Sequence, residues 1–167
     1  LKHPALPCLS RYHTINLLAG CPYRCRYCYT QSFRSHPGWN KIVFYANTLE
    51  MLQKQLPRMR QRPGTVYFST ACEPFVAYPQ IQEMLYRTMT LLLENSICLL
   101  ISTKSQISSS FIDLFEERRN RVNIQVGLTT TDEAIRQLLE PAAPSVCVRI
   151  ATMVSLAKKG IPFELRA

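Results

Sequence analysis

No apolar run in the chain reaches the roughly 18 to 20 residues that a membrane-spanning helix needs, so no segment reads as a span. The first residues lack the charged, apolar and small-residue succession of an export signal, which makes a cytoplasmic location the default expectation. Acid is scarce as well: 11 Asp and Glu stand against 20 Lys and Arg, a formal net charge of +9. Such an imbalance suits an anionic partner, of which nucleic acid is the commonest for a basic domain. The alternative is solvated helix faces and helix C-termini, where cations favour the dipole. With 47% hydrophobic residues in 167, the chain can bury a core and does not read as disordered.

Seven cysteines in a chain without an export signal argue for thiol or metal chemistry over a disulfide framework, and the odd number agrees. Cys98 and Cys147 sit between apolar neighbours and read as small buried hydrophobes. Cys8 lies among prolines and reads as a spare thiol. The remaining chemistry concentrates in Gly20-Cys21-Pro22-Tyr23-Arg24-Cys25-Arg26-Tyr27-Cys28-Tyr29, a C-x3-C-x2-C loop. Three thiolates so close together can meet one soft metal centre, but a closed zinc site wants four protein ligands. Ferredoxin-type clusters also take four cysteines, so three on a four-iron cube leave one iron open. A zinc site completed by His13, His36 or Cys8 is the competing reading.

Along the chain, strand and helix patterns alternate. Residues 1–13 read as an N-terminal arm. Tyr12 to Leu18 reads as a first strand before the cysteine loop, and 41–46 as extended. Asn47 and Glu50 form a capping-box pattern before Leu49, Leu52 and Leu56. Thr65 to Ser69 is a β-branched and aromatic strand. Ile81, Leu85, Met89 and Leu92 mark an amphipathic helix. Ile97 to Ile101 suggests a strand covered on both faces. Ser108 caps the next helix, Val122 to Leu128 is a strand, and Thr130 with Glu133 forms another capping box. A helix through Ile150 and Met153 ends at Gly160, and Ile161 to Ala167 opens a last strand. Strand-helix alternation predicts a parallel sheet with right-handed crossovers that curls toward a barrel, with functional residues on the loops after the strands.

The cysteine loop, with Tyr27 before its last cysteine, resembles the signature of the radical SAM superfamily. Ile15-Asn16-Leu17 and Tyr27-Cys28-Tyr29 resemble its spore photoproduct lyase-like branch, related to DNA repair photolyases. The resemblance implies an α/β fold, a partial (β/α)6 TIM-type barrel over 14–167. With about five strands counted, that barrel is expected to be truncated at its C-terminus. It also implies that Cys21, Cys25 and Cys28 hold a [4Fe-4S] cluster whose open iron binds S-adenosylmethionine. One electron from a flavodoxin- or ferredoxin-type reductant would then release a 5′-deoxyadenosyl radical. Ser69, Thr70 and Glu73, after the second strand, match the element that contacts the methionine amino group, although no Gly-Gly-Glu stands there. Lys104 and Thr129 match positions near the methionine carboxylate, and Tyr27 belongs to the same cofactor side. Cys72 matches a hydrogen-atom donor, with Tyr27 and Tyr29 as relay tyrosines, and DNA carrying a pyrimidine photoproduct is the implied substrate; a radical SAM enzyme acting on a non-DNA substrate is the alternative. For these residues the plainer readings are strand-end capping, a solvated lysine and a helix cap. Glu140-Pro141-Ala142-Ala143-Pro144-Ser145 with Arg149 also resembles a segment of this branch. A different class remains beside these: a non-enzymatic, zinc-bound nucleic-acid-binding module.

Overall fold

The computed structural model describes residues 1–2, 9–38 and 41–167. Cys8, and with it the completion of a zinc site through that residue, lies outside the described residues, as do His3 and Trp39. Five parallel strands form the main sheet, in the spatial order β1 (His13–Ile15), β4 (Thr65–Phe68), β5 (Cys98–Thr103), β6 (Val122–Gly127) and β7 (Phe163–Arg166). Two short strands, β2 (Leu18–Ala19) and β3 (Val43–Phe44), pair antiparallel beside it. The helices are α1 (Thr48–Gln55), α2 (Pro79–Glu94), α3 (Ser109–Glu117), α4 (Glu133–Leu139) and α5 (Val146–Lys158). The mixed α/β architecture and the parallel sheet are those of a partial TIM-type barrel, as expected.

The first strand is shorter than its apolar pattern suggests. β1 stops at Ile15, and Leu18 leaves the main sheet to pair with Phe44, because Asn16 turns its amide oxygen to the Ala71 N–H, 3.1 Å away. β5 is also not covered alike on both faces. Leu99, Ile101 and Thr103 are buried while Cys98, Leu100 and Ser102 remain partly open. Val66, Phe68, Leu99, Ile101, Ile124 and Val126 pack with Leu85, Met89, Phe111 and Phe115 of the helices into one core. The opposite face is polar: the Tyr67 hydroxyl donates to Gln125 Oε1 at 2.7 Å, and Ser102 Oγ donates to the same oxygen at 2.8 Å. Gln125 Nε2 continues the ladder to Glu164 Oε2 at 3.3 Å, whereas the neighbouring Asn123 Oδ1 has no hydrogen-bond partner.

Two capping boxes are not formed. Asn47 caps α1 without a side-chain hydrogen bond, and Glu50 instead pairs with Lys54 one turn on. At α4 the cap is Asp132, which accepts from the Ala134 and Ile135 amides. Glu133 is drawn away to the Val146 amide and to Arg136. Cys147 is exposed on α5, so its apolar neighbours in sequence misread its face; Cys98 is partly buried.

Arg58, Arg60 and Arg62 precede β4, Arg118, Arg119 and Arg121 precede β6, and Lys158 and Lys159 precede β7; all are exposed. These three basic clusters therefore lie at the amino-terminal ends of the strands.

The backbone before the cysteines is fixed by a glycine. Gly20 has φ +84, and a Cβ there would stand 2.5 Å from the Lys41 carbonyl oxygen and 2.9 Å from Pro37. Gly64 has open space around it and no such conformation. Gly20→Ala is expected to cost about 1 to 3 kcal/mol, from strain and the clash combined. Gly64→Ala should change stability by less than about 0.5 kcal/mol. Urea denaturation of both variants checks the contrast.

Candidate functional site

The cysteine loop is tied by its own backbone to the segment that joins α4 to α5. The Arg26 amide donates to the Leu139 carbonyl at 2.8 Å, and the Ala142 amide donates to the Tyr23 carbonyl at 3.3 Å. The Tyr23 hydroxyl meets Ser105 Oγ at 2.5 Å, and Gln31 Nε2 donates to the Cys25 carbonyl at 2.8 Å. Arg24, between the first two cysteines, holds φ 51, a conformation uncommon for a non-glycine residue and typical of places where a loop is set for function.

Cys21, Cys25 and Cys28 are free thiols. Burial pushes the Cys21 thiol up to about 11, while the backbone amides of Tyr23 and Glu73 act in the other direction. Burial also raises Cys25, against the pull of the Lys104 charge. Without a cation such thiols stay protonated; bound iron would deprotonate them, and the amides aimed at Cys21 would then meet a thiolate. Three thiolates can each bind a separate iron of a cube and leave the fourth iron open, and the chemistry of this donor set fits such a cluster.

Around the loop the strand ends bring most of the expected residues together. After β4, Ser69 is buried with φ 61, and its amide donates to the Ile15 carbonyl at 3.0 Å. The Thr70 carbonyl accepts from the Tyr29 hydroxyl. Glu73 is buried and its carboxylate is occupied: Thr103 Oγ1 donates at 2.5 Å, the Lys104 amide at 2.9 Å and the Phe75 amide at 3.2 Å. Burial is the main cause that raises its pKa. In this arrangement Glu73 clamps the β4 loop to the end of β5, and its own amide reaches toward Cys21. Cys72 lies between Asn16 Oδ1, 3.8 Å away, and Ser69 Oγ, 3.9 Å away. Burial pushes its thiol up to about 12.

Lys104 follows β5 and leans across β6, so that a Cβ on Gly127 would stand 3.1 Å from its Cγ. Its ammonium is 5.7 Å from the centre of the Tyr27 ring and 3.8 Å from Glu140 Oε1. Burial lowers its pKa, but the surrounding Tyr27, Cys25, Glu140 and Glu73 outweigh burial and the group ends above its ordinary value. Tyr27 and Tyr29 are 51% and 47% exposed, so both rings flank the opening and neither belongs to the core.

Glu140 has no role that its sequence motif alone assigns. Glu140 is fully buried, and its Oε1 accepts from Thr129 Oγ1 at 2.8 Å and from the Tyr27 hydroxyl. Its Oε2 is ion-paired with the equally buried Arg149. Arg149 in turn donates to the Gly127 and Pro144 carbonyls, both at 3.0 Å, and Arg136 donates to the Glu140 and Ala143 carbonyls at 2.8 and 3.0 Å. The signal was there: an acid directly before Pro141, with Arg136 and Arg149 on the helices to either side.

Residues 15–165 match the family model described as the radical SAM superfamily, and the chain belongs to that superfamily. Members of this family use a [4Fe-4S] cluster and S-adenosylmethionine. Uncharacterized protein ORF301 of Acidianus two-tailed virus is 22% identical over 164 residues, covering 92% of this chain and 54% of the viral protein. A Cys-to-Ser mutant of spore photoproduct lyase is similar in fold, with TM-score 0.74 and 17% identity over 99% of this chain and 47% of the lyase. A second lyase mutant, with bound AdoMet and dinucleoside spore photoproduct, gives TM-score 0.66 and 20% identity over 91% and 43%. Native anSMEcpe with bound AdoMet gives TM-score 0.64 and 17% identity over 92% and 43%. The chain thus spans about half the length of the viral relative and less than half of these solved structures. No helix among the described residues is long and apolar enough to cross a membrane.

The electrostatics of Glu140 give a pH test. Burial raises its pKa, but hydrogen bonds from Tyr27, Arg149 and Thr129 and the Lys104 charge outweigh burial, so the folded value lies below the ordinary 4.5. A depressed carboxylate contributes stability that is full above 4.5 and lost as pH falls through the folded value. Glu73 is shifted the opposite way, so total stability mixes both signs. Comparing wild type with Glu140→Gln/Arg149→Met, which leaves Glu73 in place, isolates the Glu140 share. Urea melts at about pH 6 and about pH 3 should show the wild type losing more stability on acidification than the double variant.

Proposed function

We propose that this chain is the catalytic barrel portion of a radical SAM enzyme, with residues 1–13 as an arm and 14–167 as the barrel unit. In this reading Cys21, Cys25 and Cys28 hold the [4Fe-4S] cluster. The observation that carries it is the docking of the cysteine loop onto the segment between α4 and α5, through the Arg26 amide and the Tyr23 carbonyl. With the loop so held, Cys25 feels the Lys104 charge and Cys21 meets the Glu73 amide. When bound, such a cluster supplies one electron to the sulfonium of S-adenosylmethionine, and a flavodoxin- or ferredoxin-type protein replenishes it.

The chain's own residues do the rest. Lys104, kept cationic by its acidic neighbours, faces the methionine carboxylate together with Thr129. Ser69 and Thr70 present hydroxyls beside the amino group, while Glu73 holds that turn against β5 and gives Cys21 an amide partner. Cys72 keeps its proton, as a hydrogen-atom donor must, because burial holds the thiol far above neutral pH. Tyr27 and Tyr29 stand at the opening as the relay pair.

The finer reading is repair of a pyrimidine photoproduct in DNA. It rests on Cys72, on the tyrosine pair and on the fold likeness to spore photoproduct lyase. Arg24, Arg26 and Arg34, exposed on the cysteine segment, suit a phosphate backbone at that end. The larger basic clusters lie at the other end of the sheet and lend this reading no support.

Anaerobic reconstitution with iron and sulfide should give about four irons per chain and absorption near about 400 nm. Cys21→Ala, Cys25→Ala and Cys28→Ala should each abolish both this absorption and reductive cleavage of S-adenosylmethionine. One tightly bound zinc and no such absorption would establish the zinc-module reading instead. Cys72→Ala should leave cofactor cleavage within about twofold of wild type and remove product formation from dinucleoside spore photoproduct. Loss of both activities together would refute the donor role.

A further inference from the structure

Three of the groups assigned to the cofactor side converge on one oxygen atom. Thr129 Oγ1 donates to Glu140 Oε1 at 2.8 Å, the Tyr27 hydroxyl donates to the same oxygen, and Lys104 Nζ stands 3.8 Å from it. The other carboxylate oxygen is held by Arg149, whose remaining donors are fixed on the Gly127 and Pro144 carbonyls. Glu140 is therefore immobile, and it is the common reference point for donors on three separate elements: the cysteine loop, the β5 end and the β6 end.

We propose that Glu140 is a positioning residue for the amino-acid end of S-adenosylmethionine: an internal carboxylate that keeps Lys104, Thr129 and Tyr27 aligned for the carboxylate of the ligand. This rests on the radical SAM reading. Two anions near one lysine repel, but Arg149 neutralises Glu140, which leaves the Lys104 charge for the ligand. The bulk of Lys104 lies against Gly127, so the ammonium has few places to go once Glu140 fixes its far end. Glu140 also ties Tyr27 to this cluster, so the cysteine loop and the ligand's carboxylate partners share one anchor.

The test must separate alignment from mere folding. Removing Glu140 alone strands a buried guanidinium, which is strongly destabilising, whereas replacing both partners of a buried pair is often tolerated. The variants are therefore Glu140→Gln/Arg149→Met and, with the buried pair intact, Lys104→Met. Each is reconstituted anaerobically beside wild type, with iron content and melting curve recorded. Dissociation constants are then measured for S-adenosylmethionine and for its decarboxylated analogue, which lacks only the carboxylate.

Wild type should prefer S-adenosylmethionine, and both variants should lose that preference by about tenfold or more, through weaker binding of the carboxylate-bearing ligand alone. Equal weakening of both ligands in the double variant would mean that Glu140 only supports the fold, and would overturn the proposal. So would a preference left intact, or a loss in Lys104→Met unmatched in a folded double variant. If the double variant does not fold, Glu140→Asp takes its place: a shorter carboxylate keeps the charge for Arg149 but withdraws Oε1, and the same loss of preference is required. Wild type that loads four irons and binds neither ligand would reject the radical SAM reading itself, and this inference with it.

Discussion

The buried pair of Glu140 and Arg149 is the interaction on which the site depends. Two ionised groups with no solvent exposure are a costly arrangement, favourable only when their remaining donors and acceptors are satisfied. Here two carbonyls accept from Arg149 Nε and Nη1, and a threonine and a tyrosine hydroxyl donate to Glu140 Oε1, while Oε2 and Nη2 have only each other. A well-packed apolar pair would be as stable, so the charge is better understood as giving directional order. An ion pair inside a core can hold a hydroxyl and a lysine at set positions, which methylenes cannot.

From this pair the organisation spreads in two directions. Arg136 gathers the Glu140 and Ala143 carbonyls and shapes the segment between α4 and α5. That segment presents the Leu139 carbonyl and the Ala142 amide to which the cysteine loop binds. On the other side, Glu73 ties the turn after β4 to Thr103 and Lys104. The two buried carboxylates play similar parts from opposite sides of the mouth, yet burial raises the pKa of one while cationic and hydroxyl partners lower that of the other.

The fold was largely legible because its signals are local. Apolar periodicity located α1, α2 and α5, and β-branched or apolar runs located β4, β5 and β6. What failed were choices between neighbours: Asp132 rather than Thr130 as the cap, Glu50 bound to Lys54, Leu18 leaving one sheet for another. Each depends on which donor lies within reach in three dimensions. The same holds for the site. Cys21, Cys25 and Cys28 stand out by spacing alone. Glu140 does not, because its partners Thr129, Tyr27, Lys104 and Arg149 come from four stretches of chain that only the sheet brings together. Cys147 shows the converse, since apolar sequence neighbours on a helix point in different directions from it.

Gly127 is the last residue of β6, beside the lysine that follows β5. Its role here is to leave room for the stem of Lys104, and this has a thermodynamic consequence for binding. A surface lysine surrenders much of its rotational freedom when it grips an anion. The stem of Lys104 has little of that freedom, being confined between a strand backbone, an aromatic ring and a carboxylate. An anion held there, as proposed above, would meet a side chain already ordered, and more of the electrostatic attraction would be expressed as affinity.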